Sequence, residues 1–276
     1  MVCTNFAVGT IKPFNYLYNT ICIYPFQMKN YFSLQVNPAK SKLLNDIGTT
    51  IEKYYPIGID PDLPEYHQYP GYIKMGELMS ENIANADNYQ ERWVSFTGQL
   101  EQQLNKTIIG TTYGFVPGFS ADLILEKYED ESLIRIKKIA FAVSLIGPFF
   151  SICGIDETFI KEKDDEFMRS YYAINVVTIS PYKEFEKDFN YLLNKIEEKY
   201  KDYQFVPFRT AMSYIKDFKT PKSIGEDATL YNVLFNYRFN HFTPYFSRGD
   251  FAYGYEQNNF NSVTLLPPPQ NPAPNK

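Results

Sequence analysis

Only two histidines, His67 and His241, give this chain any imidazole chemistry. Either would need a carboxylate to orient it before it acted as a general base. The stretch IDPDLPEYH supplies His67 with three, since Asp60, Asp62 and Glu65 stand just ahead of it. That cluster is the best metal or acid–base arrangement in the sequence. Its spacing follows no diagnostic ligand pattern. It is therefore read as an exposed acidic loop, and no catalytic residue, metal ligand or cofactor is assigned.

The other short signatures fail on context. Gly118-Phe119-Ser120-Ala121-Asp122 opens like a nucleophile elbow, but it lacks the closing glycine and precedes a strand. A β-turn is the simpler reading. Gly110 and Gly114 frame GTTYG without the Gly-Lys-Ser/Thr of a phosphate loop. Arg248-Gly249-Asp250 reads as a glycine turn. Cys3, Cys22 and Cys153 are odd in number and unpaired in spacing, which fits free thiols in a reducing, cytosolic compartment. Cys153 stands in an apolar run, where a thiol behaves as a small hydrophobe.

Recognition is the remaining chemistry. The segment from His241 to Phe260 is polar, aromatic and punctuated by glycine, and reads as irregular or weakly β. Its Tyr245, Phe246, Phe251, Tyr253 and Tyr255 are the candidate partner-binding residues; the alternative is that they fold back over the core. Phe251, Tyr253 and Tyr255 alternate, so an extended chain would place them on one face. Beyond them, LPPPQNPAPNK (266–276) cannot bury apolar area, and 263–276 reads as a Pro-rich disordered or docking tail. The whole chain holds 24 Tyr and 23 Phe beside a single Trp. Coding bias accounts for that better than a contact surface does, because Asn, Ile and Lys are plentiful too. A net charge of −5 argues against phosphate-driven nucleic-acid binding, which needs clustered Lys and Arg.

The elements that must position these groups centre on LIRIKKIAFAVSLIGPFFSICGIDETFI, residues 133–160. Two β-forming runs meet at Gly147-Pro148 and read as antiparallel strands. Leu133, Arg135, Lys137, Ile139, Phe141, Val143 and Leu145 would share one face. Ile134, Ile136, Ala140, Ala142 and Ile146 would share the other. Both faces turn apolar toward the turn, so that end should be covered on both sides. The rival reading is a membrane span, but 139–155 falls short of the about 20 residues a spanning helix needs, and Pro148 interrupts it.

Around this pair the pattern predicts an antiparallel meander over about 107–180, with strands at Thr107–Phe115, Ala121–Tyr128 and Tyr171–Ser180 and a turn at VPGFS. Strands are also expected within Phe14–Val36. Helices are expected from Asn37-Pro38 to Pro56, over Asn85–Asn105 with Trp93 on its core stripe, and over Tyr182–Tyr200 capped by Ser180-Pro181. Shorter helices are expected at Ala211–Phe218 and Ala228–Arg238. Pro56–Gly76 reads as a loop, because its prolines and glycines discourage regular structure. The expected fold class is α+β: an antiparallel sheet covered by amphipathic helices, with 1–262 as a single domain.

Function is expected from these exclusions to be a non-enzymatic, cytosolic protein-interaction module, of the immunity-protein kind that neutralises a toxin or another basic partner. A protein partner is expected, and neither nucleic acid nor membrane. The alternative is a structural subunit of a larger assembly, a virion or injection apparatus, docking through its aromatic and Pro-rich C-terminus. The third is an enzyme built on the Asp60–His67 loop.

Overall fold

The computed structural model describes residues 31–32, 42–161, 171–223, 227–239 and 246–254. All belong to one compact unit, Tyr31–Lys276. The expected strands between Phe14 and Val36 (apart from 31–32), Cys3, Cys22, Asn37-Pro38, His241, Tyr245, Tyr255 and the Pro-rich tail lie outside the described residues.

The meander stands as the pattern predicts. Strands β2 (Ile108–Gly110), β3 (Gly118–Glu129), β4 (Leu133–Ser144), β5 (Phe149–Ile160) and β6 (Tyr171–Thr178) follow one another as antiparallel neighbours. Gly147 and Pro148 join β4 to β5, with Ala142 opposite Ser151 and Ile139 opposite Gly154. The sheet is α+β in class and mixed at its margins. Two short strands add in parallel: β7 (Gln204–Phe205) beside the start of β5, and β9 (Ser247–Arg248) beside the end of β6. A separate parallel pair joins β1 (Tyr31–Phe32) to β8 (Tyr214–Ile215).

Alternation along β4 sorts the core into two layers. Ile139, Phe141 and Val143 pack with Trp93, Phe119, Phe150, Ile152, Phe185, Phe189, Leu192 and Ile196. Ala140, Ala142 and Ile146 pack on the opposite side with Leu43, Ile47, Ile51, Cys153, Ile155 and Leu230. The first layer lies under α6 (Glu186–Lys199). Burying its Phe185, Phe189, Leu192 and Ile196 contributes on the order of 10 kcal/mol before entropy. The second lies under α1 (Lys42–Tyr54), which ends just before Pro56. Gly154 makes the close approach of Phe185 to the sheet feasible, since a Cβ there would meet the Phe185 ring 2.6 Å away and Thr178 Cβ at 2.9 Å. Gly154→Ala should therefore cost about 1–3 kcal/mol, read as a lower urea midpoint at unchanged slope. An unchanged midpoint would show that Phe185 has room to move.

Several expectations are corrected. Pro56–Gly76 is largely helical: α2 (Pro64–Gln68) and α3 (Pro70–Met79) each begin on proline. Proline suits a first helical turn, where its missing N–H leaves nothing unpaired, so here it starts helices instead of forbidding them. VPGFS is not a turn throughout, because β3 begins at Gly118, with the Ser120 amide donating to Thr112 Oγ1 at 2.8 Å. Strand β2 is correspondingly short. Ser180 does not cap α6. Its buried Oγ accepts the Asp250 amide at 2.8 Å, while a 3-10 turn at Lys183–Phe185 leads into a helix whose first turn carries Glu186 and Asp188. Ala211–Phe218 is not a helix. Helix α7 (Phe208–Ala211) precedes it, and β8 occupies its middle. The last expected helix shrinks to α8 (Leu230–Leu234), capped by Thr229.

The helix expected over Asn85–Asn105 is present but interrupted. Asn85 caps α4 (Ala86–Tyr89), a π-helical turn spans Gln90–Val94, and α5 (Ser95–Leu104) ends at Asn105 in the left-handed conformation. A second π-helical turn, Ser80–Ala84, ends α3.

Candidate functional site

Each π turn inserts one residue into the helical repeat, which rotates the side chains after it and often marks a functional position. Here the two turns meet. Asn82, buried in the first, donates to the Leu78 carbonyl at 2.8 Å, and its Oδ1 accepts Arg92 Nη1 of the second at 2.7 Å. Trp93 is then turned onto the sheet, stacked on Phe119 with ring centroids 5.2 Å apart. Glu91 and Arg92 stay exposed.

Opposite them the chain leaves α6 through Lys199 and Tyr200, and Asp202, with φ 70°, reverses it so that Tyr203 returns beside Tyr200. Those two rings lie 5.2 Å apart, and the Tyr200 hydroxyl donates to the Arg92 carbonyl at 3.3 Å. Between these walls lies a cleft of about 280 Å³ that opens to solvent. Its lining includes Asn82, Glu91, Arg92, Lys199, Tyr200 and Tyr203, over Phe119 and the end of β4. Burial raises the Tyr200 and Tyr203 phenols, so both remain protonated hydroxyl donors at neutral pH. Among the described residues neither Arg92 nor Lys199 has a carboxylate partner.

A second constellation lies on the α1 side of the sheet. Asp122 of β3, Lys138 of β4 and Glu157 of β5 converge there, with Arg238 brought in after α8. Lys138 pairs with Glu157 and, at 3.2 Å, with Asp122; Arg238 grips the other face of Asp122 through both terminal nitrogens. Tyr172 donates to Glu157 Oε2 at 2.9 Å. Two cations and two carboxylates therefore neutralise one another inside the protein. Cys153 lies within their field, and burial pushes its thiol up to about 12, far from a reactive thiolate. Among the described residues the four charges are paired within the cluster.

The opposite face carries an outer network. Burial alone would raise Asp156, but Arg135, bidentate at 2.8 and 3.1 Å, and Asn175 hold its carboxyl below the usual range.

The residues singled out from sequence are placed as follows. Asp60, Asp62, Glu65 and His67 are all exposed, and Asp60 Oδ1 accepts the Asp62 amide at 2.9 Å. His67 packs edge-on against Tyr66 and Tyr72. Among the described residues no three His, Cys, Asp or Glu side chains come close enough to share a metal ion. Phe246 and Phe251 are 68% and 50% exposed, whereas Tyr253 packs on Phe189 and Phe205. Phe251 and Tyr253 do not stand on an extended chain. Gly249 and Gly254 both adopt positive φ and the Tyr253 amide donates to the Asp250 carbonyl, which folds 250–254 into turns. Because Tyr253 and Arg248 are docked, removing 240–276 should lower stability by at least about 2 kcal/mol, seen in a thermal melt of the truncated chain. An unshifted melt would show that 246–254 adds nothing to the free fold.

No family model matches the chain, and no characterised protein or solved structure matches it. Among the described residues no helix is long and apolar enough to cross a membrane. The cleft was not foreseen from sequence. Tyr200 was visible only as the end of the α6 stripe, and nothing local links it to Asn82 or Arg92.

Proposed function

We propose that this chain is a protein-interaction module that works by binding and performs no chemistry of its own. The observation that carries the reading is the cleft: two cations that have no carboxylate partner among the described residues stand over a wall of protonated tyrosines and an apolar floor. Aromatic and arginine side chains are the types that dominate binding energy at protein contacts. The ionisable groups nearer the core support the same reading, since Asp122, Lys138, Glu157 and Arg238 are spent on one another and Cys153 is held as a thiol. The immunity-like form, neutralisation of a basic toxin in the cytosol, draws on the net charge of −5, which favours long-range encounter with a partner basic overall, while the cationic cleft meets a local acidic stretch of it.

One observation favours the assembly-subunit alternative, the exposure of Phe246 and Phe251 beside β9. Reconstitution separates the two. A partner captured from the native source is purified, recombined with the chain and weighed by light scattering. The module reading expects a monomeric chain that forms a complex of fixed stoichiometry. A chain that self-assembles into large particles, or one that retains no stoichiometric partner, overturns it.

A further inference from the structure

We propose that the cleft receives one carboxylate side chain together with the apolar side chain beside it in sequence, that is, an acidic–apolar segment of a protein partner. This rests on the interaction-module reading and gives its cleft a ligand chemistry.

Charge selects the carboxylate. Arg92 and Lys199 face a single lining carboxylate, Glu91, so the cleft holds a surplus of one positive charge. One carboxylate satisfies that surplus, whereas a polyanion would meet repulsion from Glu91. Glu91 in turn is an acceptor for a backbone N–H of the same segment, a donor that an inorganic anion lacks. The hydroxyls of Tyr200 and Tyr203 add neutral donors that do not change this balance.

The floor selects the apolar neighbour. The partly exposed Leu145 and the rings of Tyr200 and Tyr203 offer apolar surface that gains by losing water, while Phe119 and Val143, already buried, only back it. Size argues for a segment over a detached molecule. The cleft, about 280 Å³, lies open to solvent instead of enclosing its ligand as small-molecule sites do. One or two side chains fill it, while the rest of their chain makes contacts outside.

The chain carries its own reporter, because its single Trp, Trp93, stacks on the Phe119 ring that lines the cleft. The experiment titrates the full chain with the capped peptide acetyl-Ser-Leu-Glu-Phe-Ser-amide and follows Trp93 emission. A saturable change is expected, about tenfold weaker for the peptide with Gln in place of Glu. Arg92→Gln and Lys199→Gln, both at exposed positions, should each weaken binding about three- to fivefold. Glu91→Gln should admit pyrophosphate, which the unaltered chain binds more weakly than the peptide. Equal responses to the Glu and Gln peptides overturn the proposal. So does undiminished binding by the Arg92→Gln/Lys199→Gln chain, or tighter binding of pyrophosphate than of peptide by the unaltered chain. If that double variant still forms a stoichiometric complex with the native partner, this ligand chemistry fails while the interaction module stands. If the unaltered chain forms no such complex, the module itself fails.

Discussion

Lys138→Met is expected to destabilise the protein by about 3–5 kcal/mol, the range for breaking a buried ion pair on one side only. The ammonium it removes lies between Asp122 and Glu157, and all three side chains are less than one-tenth exposed. Asp122 keeps Arg238 as a counter-ion, but among the described residues Glu157 keeps only the Tyr172 hydroxyl. A lone buried carboxylate must then be held charged in a poor solvent or take up a proton. The double variant Lys138→Met/Glu157→Gln removes both charges of that pair and leaves Asp122–Arg238 intact. It should recover most of the loss, and urea unfolding of the four chains of the cycle measures the coupling. A single-variant cost below about 1 kcal/mol, or a double variant worse than either single, would show that the four charges do not act as a buried unit.

Raising the pH should unfold the protein between about pH 10 and 12, well before backbone chemistry intervenes. Burial pushes the Cys153 thiol and the Tyr237 phenol each up to about 12 and holds Tyr55 and Tyr231 above the usual phenol range. In an unfolded chain a thiol ionises near about 8.5 and a phenol near about 10. The folded values are the higher ones, so the stability these groups contribute is complete below the unfolded values and is lost as pH rises toward the folded ones. One pH unit beyond an unfolded value removes about 1.4 kcal/mol per withheld group, and four groups together reach the scale of a domain's whole stability. Tyr55 has more to lose, since its hydroxyl donates to the Val233 carbonyl at 2.9 Å and a phenolate cannot. Phenolate absorbance and circular dichroism followed together test this. The buried fraction should ionise only as the fold is lost. Complete phenolate formation near pH 10 with the dichroism intact would contradict it.

Most of the sheet was legible because its signals are local. The runs on either side of Gly147-Pro148 are rich in β-branched and aromatic residues, and simple alternation assigned Phe141 and Ala142 to opposite layers. Trp93 and the Phe185–Ile196 stripe were likewise readable from helical spacing. Prolines misled, because Pro64 and Pro70 punctuate a sequence in the same way whether they end a helix or begin one. The charge cluster left a faint trace: Asp122 sits between Ala121 and Leu123, and Lys138 shares its strand face with Ala140 and Ala142. Its four members, however, come from four separate segments: the sheet register unites three of them, and Arg238 arrives after α8. The cleft left less still. Its two π turns break the 3.6-residue period on which sequence reading depends, and Tyr203 arrives through a left-handed Asp202 that carries no distinctive sequence mark.

The strand additions divide the chain by how far apart in sequence its contacts lie. Within the meander, β3 to β6 pair antiparallel with their sequence neighbours, so those contacts close short loops. Strands β7, β8 and β9 each reach back in parallel to partners well upstream. Folding should thus begin in the β3–β5 hairpins and finish with these late attachments. The same hierarchy runs backwards in the native state. Amide protons of β4 and β5 should exchange only through global unfolding, while those bonded across β6–β9, Val177 and Ile179 among them, should exchange through a cheaper opening in which the 246–254 segment peels away and the sheet stays closed.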